Sequence, residues 1–269
     1  MTEFSFLHST YFSDTYPLEW DAVQKHFPIR SDDVDRLPRG TVVIPRYRAI
    51  PFGAELEAQI LANGSRLINT YAQHLAVDDI FDWTQRLGDL TAPSYRVEDM
   101  SVVPEGRFFV KGNVSSMKNR GVSSCYADSK DEALALAEKV TENPYLAGQV
   151  AVIRPLQDYM LLGSSEHGLP IWHEQRVFTY RGNILGYGMY WGHRDTQRQP
   201  PPIDNGFFDT VNAALERMDG IAEFLVLDMA QYMDGHWGVV ELNDGSHSGF
   251  PSTISPDEVF GNLVKLSTR

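Results

Sequence analysis

Apolar residues recur along the chain in two patterns, which together predict interleaved strands and helices. Runs rich in β-branched and aromatic residues, typical of strands, occupy residues 41–45, 107–112, 149–156, 174–191, 223–229 and 237–243. Apolar residues at helical spacing occupy residues 54–64, 66–76, 78–89, 129–144, 205–220 and 255–266. Because strands and helices are interleaved without a strict βαβ alternation, we predict an α+β fold with largely antiparallel sheets.

The pattern changes near residue 95. Before that point a strand is mixed with several helices, and after residues 91–95 (TAPSY) the share of strand-forming residues rises. We therefore predict a small N-terminal α/β domain over residues 1–95 and a larger domain over residues 96–269. Within the larger domain, residues 192–206 carry three consecutive prolines and are predicted to form a loop.

Composition restricts the class of protein. The formal net charge of −13 disfavours a duplex-binding surface, because such surfaces gain affinity from Lys and Arg contacts with phosphates. No apolar run approaches the roughly 18 to 20 residues of a membrane helix, and the N-terminus lacks the basic start and apolar stretch of a signal peptide. The single cysteine, Cys125, excludes an internal disulfide framework. We expect a cytoplasmic protein without membrane contact, for which nucleic acid is an unlikely partner.

The stretch VVELNDGSHSGFP (239–251) begins as a buried strand and then carries acidic and amide side chains. Asp234-Gly235 favours a two-residue hairpin turn, which would place Asp228 directly opposite Glu241. Opposed acids repel, so a bound divalent cation would explain the pair, and neutralising either acid should relieve repulsion. Asn243 shares a strand face with Glu241 and would add a third oxygen donor, a set that suits Mg²⁺. The alternative is a hairpin end exposed to water, where both acids are solvated.

Two further strands carry charged residues among apolar neighbours. Lys111 ends the strand RFFVKG (107–112), where its ammonium could meet a phosphate or extend to solvent along the strand end. Glu174 and Arg176 lie two residues apart and hence on one strand face. The arginine could pair with an acid across the sheet or bind phosphate as a fork.

Several common signatures are missing from the sequence. It contains no G-x-x-x-x-G-K-[ST], no G-x-G-x-x-G after a strand, no H-E-x-x-H and no G-x-S-x-G. The histidines, including His173, His236 and His247 beside strands, lack close paired spacing, so no zinc site is predicted.

The order of these pieces resembles the ATP-grasp superfamily: a lysine strand, a Gly-bearing loop, a capped helix, the strand VAVIRPL, an E-x-R-V strand and a terminal E-x-N strand. The resemblance covers about residues 105–250. It implies two α+β lobes gripping ATP, the first over about 96–150 and the second over about 151–269, behind a small pre-ATP-grasp domain. The loop NVSSMKNRG is poorer in glycine than many in the superfamily, and VIRPLQD lacks the usual glutamate-rich linker.

The resemblance also implies roles for individual residues. It implies nucleotide contacts from Lys111, Lys118, Arg154, Pro155, Leu156, Glu174 and Arg176. It implies a metal set of Asp228, Glu241 and Asn243, and catalytic roles for Lys111, Arg176 and Arg194.

The implied activity is that of an ATP- and Mg²⁺-dependent carboxylate–amine ligase. Such an enzyme forms an acylphosphate on a small-molecule or peptide carboxylate, an amine then displaces phosphate, and the nucleotide product is ADP. Two alternatives stay open: a nucleic-acid or nucleotidyl ligase in which Lys111 takes AMP covalently, and a non-catalytic ATP-binding module on the same fold. The sequence leaves the substrates and the oligomeric state undetermined.

Overall fold

The computed structural model describes residues 3–47, 52–113, 124–143, 148–165, 168–192 and 198–267. The strands of its N-terminal part are β1 (Phe4–Leu7), β2 (Arg30–Ser31), β3 (Val42–Pro45) and β4 (Arg66–Leu67). The helices of this part are α1 (Phe12–Thr15), α2 (Pro17–His26), α3 (Gly53–Ala62), α4 (Tyr71–Asp78) and α5 (Ile80–Leu87). The four strands form a parallel sheet in the order β2-β1-β3-β4.

This N-terminal part departs from the predicted pattern in two ways. Its sheet is parallel, whereas largely antiparallel sheets were predicted, because each strand is joined to its neighbour by a crossover that contains helix. The helix predicted over residues 66–76 is wrong at its start. Leu67 extends the sheet beside Val43, and α4 begins only after Thr70, whose side chain forms a capping box with Gln73.

The next part of the chain forms a small lobe around a three-stranded sheet. Its elements are β5 (Phe108–Gly112), β6 (Tyr126–Ala127), α6 (Lys130–Glu142) and β7 (Ala151–Pro155). The strands are antiparallel in the order β6-β5-β7. The apolar face of α6 packs on this sheet through Ala133, Ala137 and Val140, so the strand that ends in Lys111 has a rigid support.

The remaining elements build a larger antiparallel sheet with flanking helices. They are β8 (Leu161–Ser164), β9 (Pro170–Trp172), β10 (Glu174–Tyr180), β11 (Asn183–Met189), α7 (Asn205–Arg217), β12 (Phe224–Gln231), β13 (Trp237–Asp244) and α8 (Pro256–Ser267). Strands β8 and β9 pair separately, and the main sheet has the order β11-β10-β12-β13. The strands and helices predicted for residues 174–266 are confirmed.

The two faces of the main sheet pack against different partners. On one face, Phe178 and Val226 belong to a core that includes Phe4 and Phe6 of β1 and Phe260 of α8. The other face packs on α5 and α7 in a separate core. The N-terminal part therefore shares hydrophobic cores with the main sheet, and the domain boundary near residue 95 stays a prediction.

The hairpin between β12 and β13 reaches the predicted pairing by a different route. Its loop has three residues, 233–235, closed by a hydrogen bond from Tyr232 N–H to the His236 carbonyl at 2.8 Å, with Gly235 at a φ of 96°. The predicted two-residue turn is therefore wrong. A bulge at Val240 adds one residue to β13 and restores the register, so Asp228 lies opposite Glu241 as predicted.

Arg46 connects the N-terminal part to the loop that follows β13. Its guanidinium is fully buried and forms an ion pair with buried Glu19. It also donates to the carbonyls of Gly245 at 2.7 Å and Ser248 at 2.6 Å. This cluster holds the residues after β13 in one conformation, because a buried guanidinium must keep its acceptors.

Among the described residues, none of the helices has both the length and the apolar character that crossing a membrane requires.

We predict that Arg46→Met lowers the free energy of unfolding by about 3–5 kcal/mol, because it leaves Glu19 buried without its cation. Denaturant unfolding of the unliganded chain measures this effect. The matched control is Arg36→Met, which removes an exposed pair with Asp33 and should cost less than about 1 kcal/mol. Equal losses in the two variants would contradict the structural role of Arg46.

Candidate active site

Four charged side chains form a row that crosses the main sheet and continues into the small lobe. Arg176 on β10 lies opposite Asp228 on β12, which lies opposite Glu241 on β13. Lys111, at the end of β5 in the small lobe, completes the row with an ion pair to Glu241. The structure thus brings together residues from four strands, and we call Lys111, Glu241, Asp228 and Arg176 the charge row.

Arg176 and Asp228 form the most buried pair of the charge row. Arg176 Nε and Nη2 donate to the two carboxylate oxygens of Asp228 at 2.8 and 2.7 Å, and the Asp228 residue is only 1% exposed. Burial favours the neutral form of Arg176, but the charge of Asp228 and its hydrogen bonds outweigh burial and raise the pKa of the guanidinium. Arg176 therefore stays charged and pairs with an acid across the sheet.

The pairing changes the interpretation of the two opposed acids. We inferred from the sequence that a metal ion would offset their repulsion, whereas in the structure Lys111 pairs with Glu241 and Arg176 with Asp228. Asn243 joins this group, since its Nδ2 lies 3.4 Å from Asp228 Oδ2. Neutralising Asp228 would consequently leave a buried cation unpaired, so the expected relief of repulsion does not apply.

The donor chemistry of this group nevertheless fits Mg²⁺. Asp228, Glu241 and Asn243 supply carboxylate and amide oxygens, which are the ligands that hard cations take. The Glu241 side chain is 27% exposed and lines the cleft between the lobes. Binding an ion there would require both carboxylates to exchange part of their pairing with Lys111 and Arg176.

A cleft between the small lobe and the main sheet opens beside the charge row. Lys111 and Glu241 lie in its wall together with aromatic side chains from both lobes. These aromatic residues are Phe109, Tyr126, Tyr159, Trp172 and Trp191. Flat apolar walls next to paired charges suit a ligand that has one aromatic end and one anionic end.

The predicted adenine linker lines the same cleft, but its polar groups have partners within the chain. The buried Arg154 guanidinium donates to the Val240 carbonyl at 2.7 Å and to Thr91 Oγ1 at 2.9 Å. Leu156 N–H donates to the Arg107 carbonyl at 2.8 Å. The Pro155 carbonyl accepts from the Gln157 side chain at 2.8 Å. The structure therefore places these residues at the cleft, and their contacts with a nucleotide stay a prediction.

Three other predicted residues have different outcomes. Glu174 is buried at the cleft and accepts a hydrogen bond from Trp191 Nε1 at 3.0 Å. Lys118 and Arg194 lie outside the described residues.

A second cleft, which the sequence did not indicate, lies between α2 and the segment 249–257. Tyr16, Tyr47 and Phe250 are among its lining residues. Arg176 Nη1 donates to the Gly249 carbonyl at 3.0 Å, so one guanidinium contacts both Asp228 and the segment that lines this second cleft.

The sequence also missed a buried network centred on His74. Its Nδ1 lies 3.1 Å from Asp244 Oδ2, and its Nε2 lies 3.2 Å from Asp78 Oδ2. Burial raises the pKa of Asp78 to about 6, with Asp244 and Glu241 adding to the effect. Burial also lowers the pKa of the neighbouring His247 to about 4. Since His74 and Asp244 are 170 positions apart, no local spacing in the sequence could have indicated this network.

Comparisons with known proteins place this geometry in a family context. A family model described as an ATP-grasp domain, the third family of its clade, matches residues 107–263. D-cycloserine synthetase DcsG is 16% identical with a TM-score of 0.63, over 98% of this chain and 99% of that chain. The ATP-grasp ligase PsnB, complexed with precursor peptide PsnA2 and AMPPNP, is 11% identical with a TM-score of 0.62, over 100% and 99%.

A third solved structure has the same extent of similarity. D-alanyl-alanine synthetase A from Vibrio cholerae is 12% identical with a TM-score of 0.60, over 100% of this chain and 98% of that chain. At these identities the similarity establishes the fold. No curated protein matches this sequence.

We predict that Arg176 and Asp228 are strongly coupled energetically. Asp228→Asn and Arg176→Met should each lower the free energy of unfolding by about 3 kcal/mol, because each leaves a buried charge unpaired. The double variant should lose less than the sum of the two by at least about 2 kcal/mol. Denaturant unfolding of the unliganded proteins provides all the values.

The control for this cycle is the exposed pair of Arg107 and Asp128, whose Nε and Oδ1 atoms are 2.8 Å apart. Its coupling should stay below about 1 kcal/mol. Additive losses in the Arg176 and Asp228 variants would show that the pair is not the buried electrostatic unit described above.

Proposed function

Because the chain belongs to this family of ATP-grasp domains, we propose that it is an ATP-dependent carboxylate–amine ligase that releases ADP and phosphate. The observation that carries the proposal is the charge row at the edge of an aromatic cleft. Two cations and two carboxylates meet there, on strands from both lobes. Such a group suits phosphoryl transfer, in which positioning and charge neutralisation do most of the catalytic work.

The nucleotide is proposed to bind in the cleft between the lobes. Its base would pack against the aromatic walls that include Phe109 and Trp172, and its phosphates would extend toward Lys111. The Lys111 ammonium would then exchange its contact with Glu241 for phosphate oxygens. This exchange conserves the local charge balance, since an anion replaces a carboxylate as the partner of the lysine.

Asp228, Glu241 and Asn243 are proposed to hold Mg²⁺ once the nucleotide is bound. The ion would neutralise phosphate charge and orient the transferred group. Glu241, released from Lys111, and Asp228, still held by Arg176, would keep their oxygens at the phosphate end of the cleft. Arg176 is proposed to position Asp228 and, through the Gly249 carbonyl, the segment that follows β13.

The second cleft is the proposed site for the acceptor substrates. It is lined by the segment that Arg176 contacts, which connects it to the phosphate end of the nucleotide site. Similar structures include a ligase complexed with its precursor peptide, a D-alanyl-alanine synthetase and an L-amino acid ligase. We therefore propose an amino acid or a peptide as the carboxylate, with an amine as the second substrate. Arg194 stays a proposed contact for the carboxylate or the transferred phosphoryl group.

The pairing of Lys111 disfavours a nucleotidyl ligase. A lysine that takes AMP must attack as a neutral amine, whereas Lys111 is 5% exposed and ion-paired with a carboxylate. The same contact favours a charged ammonium, which suits phosphate binding.

We predict that the chain, supplied with MgATP and a pool of amino acids, small carboxylates and peptides, produces ADP and phosphate. Chromatography of the nucleotides measures the products. Glu241→Gln should reduce turnover about 10²–10³-fold, the scale of losing one preorganised electrostatic group. Substrate-dependent AMP, or a protein mass increased by one AMP unit, would overturn the proposed ligase. A reaction mixture without the substrate pool provides the background rate.

We predict that Lys111→Ala weakens binding of a non-hydrolysable MgATP analogue about 10- to 100-fold, because it removes a charge-assisted contact of roughly 1.5–3 kcal/mol. Calorimetric titration measures the affinity. Lys139→Ala, which removes an exposed lysine of α6, should bind the analogue like the unmodified chain. Unchanged affinity in Lys111→Ala would return Lys111 to a purely structural role.

A further inference from the structure

Three potential metal ligands meet near the end of β13, away from the charge row. His74 lies on α4, Asp244 is the last residue of β13 and His247 lies in the loop that follows. One ligand atom from each residue lies within 4.8 Å of the other two. His74 Nδ1 and Asp244 Oδ2 are 3.1 Å apart, a separation that two ligands of one ion adopt when each bond is about 2.0–2.2 Å.

Strand alternation separates this cluster from the proposed Mg²⁺ ligands. Glu241 and Asn243 project from the face of β13 that carries the charge row, and Asp244 projects from the other face with Leu242. Leu242 packs in the core that contains α5 and α7. The cluster is therefore a distinct group of ligands behind the strand, not an extension of the nucleotide site.

Two of the three ligands already have the outer partners that metal ligands usually have. His74 Nε2 lies 3.2 Å from the Asp78 carboxylate, which fixes the ring and leaves Nδ1 facing Asp244. Asp244 Oδ1 accepts from Asn69 Nδ2 at 2.9 Å and from Ser246 N–H at 2.7 Å, so Oδ2 is the oxygen directed at His74. A histidine whose second nitrogen is held by a carboxylate is the usual arrangement around bound Zn²⁺.

His247 supplies the observation that points to a missing ligand. Its Nε2 atom is buried and has no hydrogen-bond partner among the described residues. Its ring centroid lies 4.9 Å from that of His74. A buried ring nitrogen without a partner is costly unless a donor or an ion occupies the space beside it.

From this arrangement we propose that His74, Asp244 and His247 bind one divalent transition-metal ion, for which Zn²⁺ is the probe. Two imidazole nitrogens and one carboxylate oxygen favour Zn²⁺ over Mg²⁺, which takes oxygen ligands. The ion would displace the proton between His74 Nδ1 and Asp244 and would give His247 Nε2 a partner. It would join α4, the end of β13 and the following loop, and three protein ligands leave a further position for water. The site does not depend on the proposed ligase activity.

The test is titration of the chelator-treated full chain with Zn²⁺ in the presence of millimolar Mg²⁺, which occupies oxygen-only sites. Calorimetry should give one ion per chain, and Co²⁺ in place of Zn²⁺ should give visible absorption bands from imidazole ligation. His247→Ala should weaken Zn²⁺ binding more than about tenfold, and Asp78→Asn, which removes the outer partner of His74, about tenfold or more. Zn²⁺ should also raise the melting temperature of the unmodified chain.

Two variants serve as controls. Glu241→Gln changes the proposed Mg²⁺ set, and His236→Ala removes an exposed histidine; both should bind Zn²⁺ like the unmodified chain. If His247→Ala does not fold, Asp78→Asn and the Co²⁺ spectrum of the unmodified chain decide. Absence of saturable Zn²⁺ binding would overturn the proposal. So would an affinity that is the same in His247→Ala and Asp78→Asn as in the unmodified chain.

Discussion

The ion pair between Arg176 and Asp228 is the constraint on which the candidate site depends. A carboxylate that is almost fully buried in the middle of a sheet needs a permanent partner, and the bidentate contact with Arg176 supplies it. With Asp228 neutralised in this way, Glu241 can lie directly beside it without strong repulsion. Lys111 then balances Glu241 from the other lobe. The order of charges is positive, negative, negative, positive, so the two acids are adjacent but each has its own cation.

This arrangement makes the two ends of the charge row unequal. The Arg176 end is buried between strands of one sheet and also contacts the Gly249 carbonyl, so exchanging its partners would disturb the sheet and the following segment. The Lys111 end joins two lobes through the more exposed Glu241 side chain, so its partner can change with less disruption. A ligand that carries negative charge into the cleft would therefore act first on the contact between Lys111 and Glu241.

The sequence allowed the ATP-grasp fold, most strands of both lobes and the juxtaposition of Asp228 and Glu241 to be predicted, because these follow from local periodicity and motif order. The pairing itself was predicted from the wrong turn: the three-residue loop and the bulge at Val240 shift the register in opposite directions. The partners of Lys111 and Arg176 could not be predicted, since ion pairing depends on which strands become neighbours. The short strand β1 and helix α2 were missed for a related reason, because tertiary packing around Phe6 stabilises them more than local pattern does.

The end of β13 shows how strand alternation distributes chemistry that is contiguous in the sequence. Glu241, Asn243 and Asp244 read as one polar group at the end of an apolar strand. In the structure the first two face the cleft, whereas Asp244 points behind the strand to His74 and Asn69. Arg46 holds the carbonyls of Gly245 and Ser248 immediately afterwards. The backbone that positions the cleft-facing oxygens is thus fixed from behind by polar contacts. A change in how Asp244 is held would reach Asn243 through a single peptide bond, with no need for movement of the whole sheet.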